Sequence, residues 1–382
     1  MEFNLPDCSP KPYVVSEPEK IATPRLLFFR GRLEHNLSSM REALGAFEPA
    51  FSAEDLCPHV KTHKSGWVTR KLIDFGVSMF KSTPNEAGML ASAGAREIFF
   101  AYPPLPDWIE PAARLAAGSP GIRFYWQAGH TAHIGSLAQA AQITGSPVPV
   151  FLDLDVGMGR TGIGAEKAVP IARLLVQHPG LEMAGVHAYN GHNYSRDKKT
   201  RSQEAERGFQ RLRAVLEALE ADGIEVPRIV MGGTPSFIEE GRQAAPLRAR
   251  YRVCLSPGTW VLSDLITTGI HGARFEPAAL ILARVMDRPG AGRATLNLGH
   301  KRYSVDQGPL RQLSVPEMRP LSWSEEHTVV SAPGEAGLDI GAYVLIPPVH
   351  VCSTVNLWSE FTVIGPGGEI ELPACPIEGR NR

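Results

Sequence analysis

No run of about 20 apolar residues occurs in the chain, so a membrane-spanning helix is not expected. The opening MEFNLPDCSPKPYVV has no apolar stretch of the secretory-leader kind, and the protein is expected to be cytoplasmic. Cysteine is sparse: the five residues Cys8, Cys57, Cys254, Cys352 and Cys375 are odd in number, scattered and without a CxxC pair. That is the usage of a reducing compartment, not of a disulfide framework. An excess of one charge is missing too. A net charge of -1 removes the whole-protein argument for nucleic acid or an anionic membrane as partner. The basic run Arg196 to Arg201 reads as a solvated helix entrance. No repeat, low-complexity tract or long linker is visible.

What is present is enzyme-like: 382 residues, 43% apolar and 21% charged, enough for a large core and two domains. From about residue 55 to 265 short apolar strands alternate with amphipathic helical stretches. The expected strands are Leu56–Val60, Val77–Phe80, Glu97–Ala101, Ile122–Trp126, Val150–Leu154, Met183–Ala188, Arg228–Met231 and Tyr251–Leu255. Helices are expected over Pro84–Ala95, Asp107–Ala117, Ala132–Thr144, Glu166–Gln177, Arg201–Ala221 and Ser236–Ala244. This α/β order predicts a (β/α)8 barrel. After residue 270 the segments Ala278–Val285, Ala294–Leu298 and Ala342–Ile346 are short, apolar or β-branched and separated by Gly and Pro, which reads as a β domain.

The chemistry of such a barrel sits on the loops after its strands. Lys61 follows the first strand, beside His59 and His63. A lysine in that setting can lose its proton near neutral pH and form a Schiff base with an aldehyde, of which pyridoxal phosphate is the commonest in enzymes. Asp155, Gly157, Gly159 and Arg160 follow the fifth strand. Tyr189, Asn190, His192 and Tyr194 follow the sixth. Gly232-Gly233-Thr234 and Ser256-Pro257-Gly258-Thr259 follow the last two, where backbone N–H groups can face a phosphate. Downstream, His350 and Cys352 lie two residues apart. An extended segment would put both on one face, able to share a divalent metal.

Gly157-Met158-Gly159-Arg160-Thr161-Gly162 is a literal GxGxxG, but it lies in the middle of a run of βα units, and an arginine between its glycines would crowd a pyrophosphate. Arg160 is better used as a fixed cation beside a cofactor oxygen.

In order along the chain stand Thr23-Pro24 with Asn36, Pro58-His59-Val60-Lys61-Thr62-His63-Lys64, Asp155 to Arg160 and Gly232 to Ser236. Ser256-Pro257-Gly258-Thr259, Gly299 to Pro309 (GHKRYSVDQGP), Glu325-Glu326-His327, and His350-Val351-Cys352 with Thr354 to Leu357 follow. With these stretches the chain resembles the D-serine dehydratase / D-threonine aldolase family, fold-type III relatives of alanine racemase. The resemblance implies three segments: residues 1–30, an extension with a strand around Leu26–Arg30 joining the β domain; residues 31–268, an alanine-racemase-like (β/α)8 barrel binding pyridoxal 5'-phosphate; and residues 269–382, a C-terminal β domain carrying the metal site.

It further implies Lys61 as the Schiff-base lysine, with His59, Arg160, Tyr189, Gly232, Thr234, Gly258 and Thr259 around the cofactor. His350 and Cys352 would bind the metal, zinc being favoured by the thiolate, with manganese or cobalt as alternatives. Lys61, His192 and Tyr194 would be catalytic, the substrate a small-molecule D-amino acid with a β-hydroxyl, and the assembly a homodimer. Two departures stand out: Cys57 where the family usually has arginine, and Asn297 where it often has aspartate. In this family aldolases mostly show His-Cys-Asp at the metal and dehydratases His-x-Cys. Cys352 therefore favours dehydration to a 2-keto acid and ammonia, with aldol cleavage to glycine and an aldehyde as the alternative. A racemase would need a second acid/base group and no metal, and a non-catalytic pyridoxal phosphate carrier would lack residues 270–382.

Overall fold

The computed structural model describes residues 1–290, 292–315, 318–331 and 339–380; the remainder of the expected C-terminal domain lies outside the described residues. The chain divides into two compact units. One comprises Met1–Met40, Thr62–Lys64 and Thr259–Arg380, and the other Arg41–Lys61 with Ser65–Gly258.

The second unit is built on seven parallel strands lying side by side in chain order: Met79–Ser82, Glu97–Phe100, Arg123–Ala128, Val148–Asp153, Leu181–Ala188, Arg228–Met231 and Arg252–Leu255. The eighth stave is residues 56–59, expected as a strand but irregular here. Leu56 bridges in parallel to Leu255 and His59 to Lys81. Cys57 N–H donates to Leu255 O at 2.8 Å, and Lys81 N–H donates to Pro58 O at 2.9 Å. Pro58 has no N–H to give, which limits this stave to isolated bridges. The ring is thereby closed, and the (β/α)8 expectation holds.

Each of the eight staves sends one side chain into a shared interior cluster: Cys57, Met79, Phe99, Tyr125, Phe151, Ala184, Val230 and Cys254. Cys57, one of the two departures, is therefore a core filler, and burial pushes its thiol far above its ordinary range. Gly185 (φ 139°) lies where the pairing with Val150 and Phe151 slips by one residue. A Cβ there would fall 1.9 Å from Arg228 O, so only glycine fits this bulge.

Helices Pro84–Ala93, Pro106–Ala117, Ala132–Thr144, Ala165–Gln177, Lys198–Ala221 and Phe237–Ala244 fall where periodicity put them. Gly66–Phe75, not anticipated, starts where Ser65 Oγ accepts from Trp67 N–H and stops at Gly76 in the left-handed region.

In the first unit an eight-stranded sheet runs in the order Arg319–Trp323, Thr328–Ser331, Arg293–Leu296, Ala279–Asp287, Arg25–Phe29, Glu360–Ile364, Ile370–Pro376, with Tyr343–Ile346 paired to Ala279–Asp287 off that path. Arg25–Phe29 is an interior strand, antiparallel to Ala279–Asp287 and parallel to Glu360–Ile364. Leu27, Phe29, Leu280, Leu282, Leu345 and Ile364 pack with Tyr13 and Val15 into its core. Asn297, the other departure, accepts from Arg284 N–H at 2.7 Å and donates to Thr23 Oγ1 at 3.0 Å. Among the described residues no helix is long and apolar enough to cross a membrane.

Asn36 is fully buried, and its amide grips three backbone groups. It donates to Val261 O at 3.1 Å and Glu276 O at 2.8 Å, and accepts from Glu276 N–H at 2.8 Å. Removing the amide leaves those groups unsatisfied, at about 1–3 kcal/mol for each that water does not reach. Asn36→Ala is expected to lose about 3 kcal/mol in urea unfolding; a loss below about 0.5 kcal/mol would contradict this reading of the amide.

Candidate active site

Lys61 lies on a 3-10 turn, Val60–Thr62, immediately after the irregular stave, not at a strand end. The turn is fixed by His59, whose Nδ1 accepts from Lys61 N–H at 3.1 Å. Buried Glu86 stands 3.7 Å from the same nitrogen while accepting from Thr83 N–H at 2.8 Å. The Lys61 ammonium lies 5.8 Å from the centre of the Tyr189 ring. Two more cations meet that ring: Lys81 Nζ at 4.7 Å and the Arg160 guanidinium at 5.2 Å.

Behind the ring runs a buried polar chain. Lys81 Nζ is 3.0 Å from His187 Nε2, His187 Nδ1 is 2.8 Å from Asp153 Oδ1, and Gln127 Nε2 donates to Asp153 Oδ2 at 3.3 Å. The His187 ring lies parallel to Tyr189. Burial, then the Lys81 charge, drives His187 down to about 4, so it is neutral at pH 7. Neutral His187 donates from Nδ1 to Asp153 and accepts from Lys81 at Nε2, the tautomer this network selects. Burial also drives Lys81 down to about 7.

Sequence reasoning passed over Lys81, Asp153 and His187. The available signal was alternation: Met79 faces the barrel interior, so Lys81, two residues on, faces the same way.

The GxGxxG segment folds around its own acid. Asp155 Oδ1 accepts from Gly157 N–H at 2.9 Å and Gly159 N–H at 3.0 Å. Burial works against the carboxylate, but these bonds outweigh it and hold Asp155 below its usual range. The donors a pyrophosphate would need are taken, and the loop instead presents exposed Arg160.

Thr234 and Gly258 are brought together, Gly258 N–H donating to Thr234 Oγ1 at 3.0 Å. Below them Glu240 accepts from Gly233 N–H at 3.3 Å and from Ser236 Oγ at 2.9 Å. Burial pushes Glu240 up to about 8, so this loop, with Gly232 at its start, carries a neutral acid at pH 7. His192 Nε2 lies 3.3 Å from Glu204 Oε1 on helix Lys198–Ala221. Tyr194 is 52% exposed.

The His350–Cys352 pair lies in the other unit. It is not extended: His350 caps the short helix Val351–Val355, which carries Cys352, so the expected shared face of a strand is replaced by a helix start. Asp264, fully buried, accepts from Val351 N–H at 3.0 Å and pins that start. His350 Nδ1 is 2.6 Å from Asp306 Oδ2, and Ser353 Oγ donates to the same oxygen at 2.8 Å. Cys352 Sγ has Thr62 Oγ1 at 3.2 Å and Thr259 Oγ1 at 3.7 Å.

Burial disfavours a charged imidazole, yet Cys352 and Asp306 outweigh it, and His350 is pushed up to about 9. A metal on this pair would displace that proton, and Asp306 is placed as a carboxylate that orients a ligating histidine. Among the described residues no three His, Cys, Asp or Glu side chains are placed to hold a metal ion together, so a metal on this pair would complete its shell with water or substrate.

Asp155→Ala is expected to speed amide hydrogen exchange at Gly157 and Gly159 about tenfold, since both lose their acceptor. Unchanged exchange would mean that the loop does not depend on Asp155.

Comparison with known proteins bears on this arrangement. Residues 30–250 match the model "Alanine racemase, N-terminal domain", and residues 278–364 match "Putative serine dehydratase domain". D-threonine aldolase of Arthrobacter sp is 26% identical, the match covering 91% of this chain and 90% of that one. D-threo-3-hydroxyaspartate dehydratase of Delftia sp. (strain HT23) is 25% identical over 91% of this chain and 96% of that one. A cysteine-to-alanine mutant of a dehydratase of that name is known in a metal-free form. The crystal structure of D-threonine aldolase from Filomicrobium marinum superposes with a TM-score of 0.84 at 25% identity, covering 94% of this chain and 96% of that one.

Proposed function

The chain belongs to the alanine-racemase-like, fold-type III family of pyridoxal-phosphate enzymes, and we propose that it is a metal-assisted lyase that dehydrates a D-β-hydroxy-α-amino acid. The observation that carries dehydration is the Cys352–His350 pair backed by Asp306.

The residues fit both groups. Lys61, Arg160 and Tyr189 offer an amine, a fixed cation and an aromatic face to an anionic ring cofactor, and Gly232, Thr234 and Gly258 lie on the loops that would meet its phosphate. Bound pyridoxal phosphate supplies an electron sink for charge at Cα. A divalent ion on His350 and Cys352, zinc by the softness of the thiolate, supplies Lewis acidity toward the β-oxygen.

The chain's own residues do the rest. Lys61 would hold the cofactor through its amine and, as a free amine, would remove the α-proton. Tyr189 would offer an aromatic face to the cofactor ring. Asp306 holds the His350 imidazole in one orientation beside Cys352. Neutral Glu240 puts no charge against a phosphate at the Gly232–Thr234 loop.

One observation favours a second reading, aldol cleavage. His192 is backed by Glu204, the arrangement of a base that takes a hydroxyl proton. The aldolase names among its relatives agree with that.

Product analysis separates the two. With pyridoxal phosphate and zinc supplied, D-serine and D-threonine are expected to give 2-keto acid and ammonia. Glycine plus an aldehyde would replace dehydration by aldol cleavage. Cys352→Ala is expected to lower turnover about 100-fold with cofactor absorption retained. Full turnover in that variant, or in metal-stripped protein, would take the metal out of the reaction.

A further inference from the structure

Lys81 has no part in the reaction described above, yet it is a lysine with only 3% of its surface exposed, inside a barrel. A buried ammonium is costly unless paired, and the partner provided here is a neutral imidazole, not a carboxylate. The carboxylate is one residue further back, on the far nitrogen of His187. Such an arrangement holds an amine in place without locking its proton on.

The groups facing Lys81 are Cys57 from the irregular stave, Lys61 from the turn after it, Asp153 from its strand, and Arg160 from the following loop, with His187 and Tyr189 from the next stave. Phe99 packs edge-on against His187, and the remaining inward positions, Met79, Tyr125, Phe151, Ala184, Val230 and Cys254, carry no charge at pH 7. Lys61 and Arg160 oppose its charge, while Asp153 favours it.

We propose that Lys81 is a positioning residue for Lys61: both amines stand beside the Tyr189 ring, and the Asp153–His187 relay holds Lys81 there so that its charge governs the proton of Lys61. This rests on the assignment of Lys61 as the reactive amine. Burial, which brings Lys81 to about 7, sets the range in which the device acts. Below that pH Lys81 is charged and opposes a second positive charge beside it; above it Lys81 is neutral and that opposition is gone. Two amines coupled in this way titrate as a pair.

The test is a pH titration of the side-chain carbon signals of Lys61 and Lys81 in the cofactor-free, full-length protein carrying 13C-lysine, with assignments from the two single variants. In the native protein Lys81 is expected to titrate near pH 7, and the Lys61 curve to show a step at the same pH. In Lys81→Met that step disappears. In Asp153→Asn it moves to lower pH, because a group favouring the charged amine is gone, and the acid limb of kcat/KM moves with it. A Lys81 midpoint near the ordinary value of about 10.4 overturns the proposal. So does a Lys61 curve unchanged in Lys81→Met. If that variant does not fold, the native curves alone decide, since the shared step is either present or absent. No cofactor enters this measurement, so whether Lys61 holds pyridoxal phosphate is read independently of it.

Discussion

Lys61, Lys81 and Arg160 gather around the Tyr189 ring, and the nearby carboxylate, Asp153, is engaged by His187. Like charges held several ångströms apart at a protein's effective dielectric repel by about 2 kcal/mol a pair, less where Arg160 reaches solvent. The fold tolerates this because closed parallel staves fix where each residue points, and because burial strips the proton from Lys81 near neutral pH. What remains is a place that favours an anionic, flat ligand, which is the character of pyridoxal phosphate. Most other features of the barrel site make sense as ways of keeping that positive field intact.

Glu240 and His187 show how this is done. Each is a titratable group on or beside the site, and burial makes each neutral at pH 7. A charged glutamate below the Gly232–Thr234 loop would repel a phosphate, and a charged His187 would add to the crowd of cations. Asp155 stays ionised, but it spends its charge on the N–H groups of its own loop. The same bonds dispose of the GxGxxG pattern as a dinucleotide site and hold the loop from which Arg160 extends.

Much of the architecture was legible because it depends on periodicity. Arg228–Met231 and Ala132–Thr144 form at the expected bounds, and other barrel elements are displaced by only a few residues. The rest was hidden for particular reasons. Pro58 breaks the ladder of the first stave, so Lys61 comes off a turn. Arg30–Gly45, RGRLEHNLSSMREALG, has too few apolar residues to declare itself a helix. For His350 and Cys352 the expected local geometry fails: a helix start, not a strand, sets their spacing. Asp306 stood in a recognised motif without a role, and its place against His350 is a tertiary contact that spacing could not give. Lys81 lay one residue past the expected strand Val77–Phe80, and only closure of the barrel places it against His187.

The central claim is that Lys61 is the amine that holds the cofactor. Reducing the pyridoxal-phosphate-loaded protein with borohydride and mapping the modified peptide by mass spectrometry tests it most directly. The account predicts a pyridoxyl group on Lys61 alone, and none in Lys61→Ala. Modification of Lys81 in the native protein, or no stable attachment at all, would contradict it.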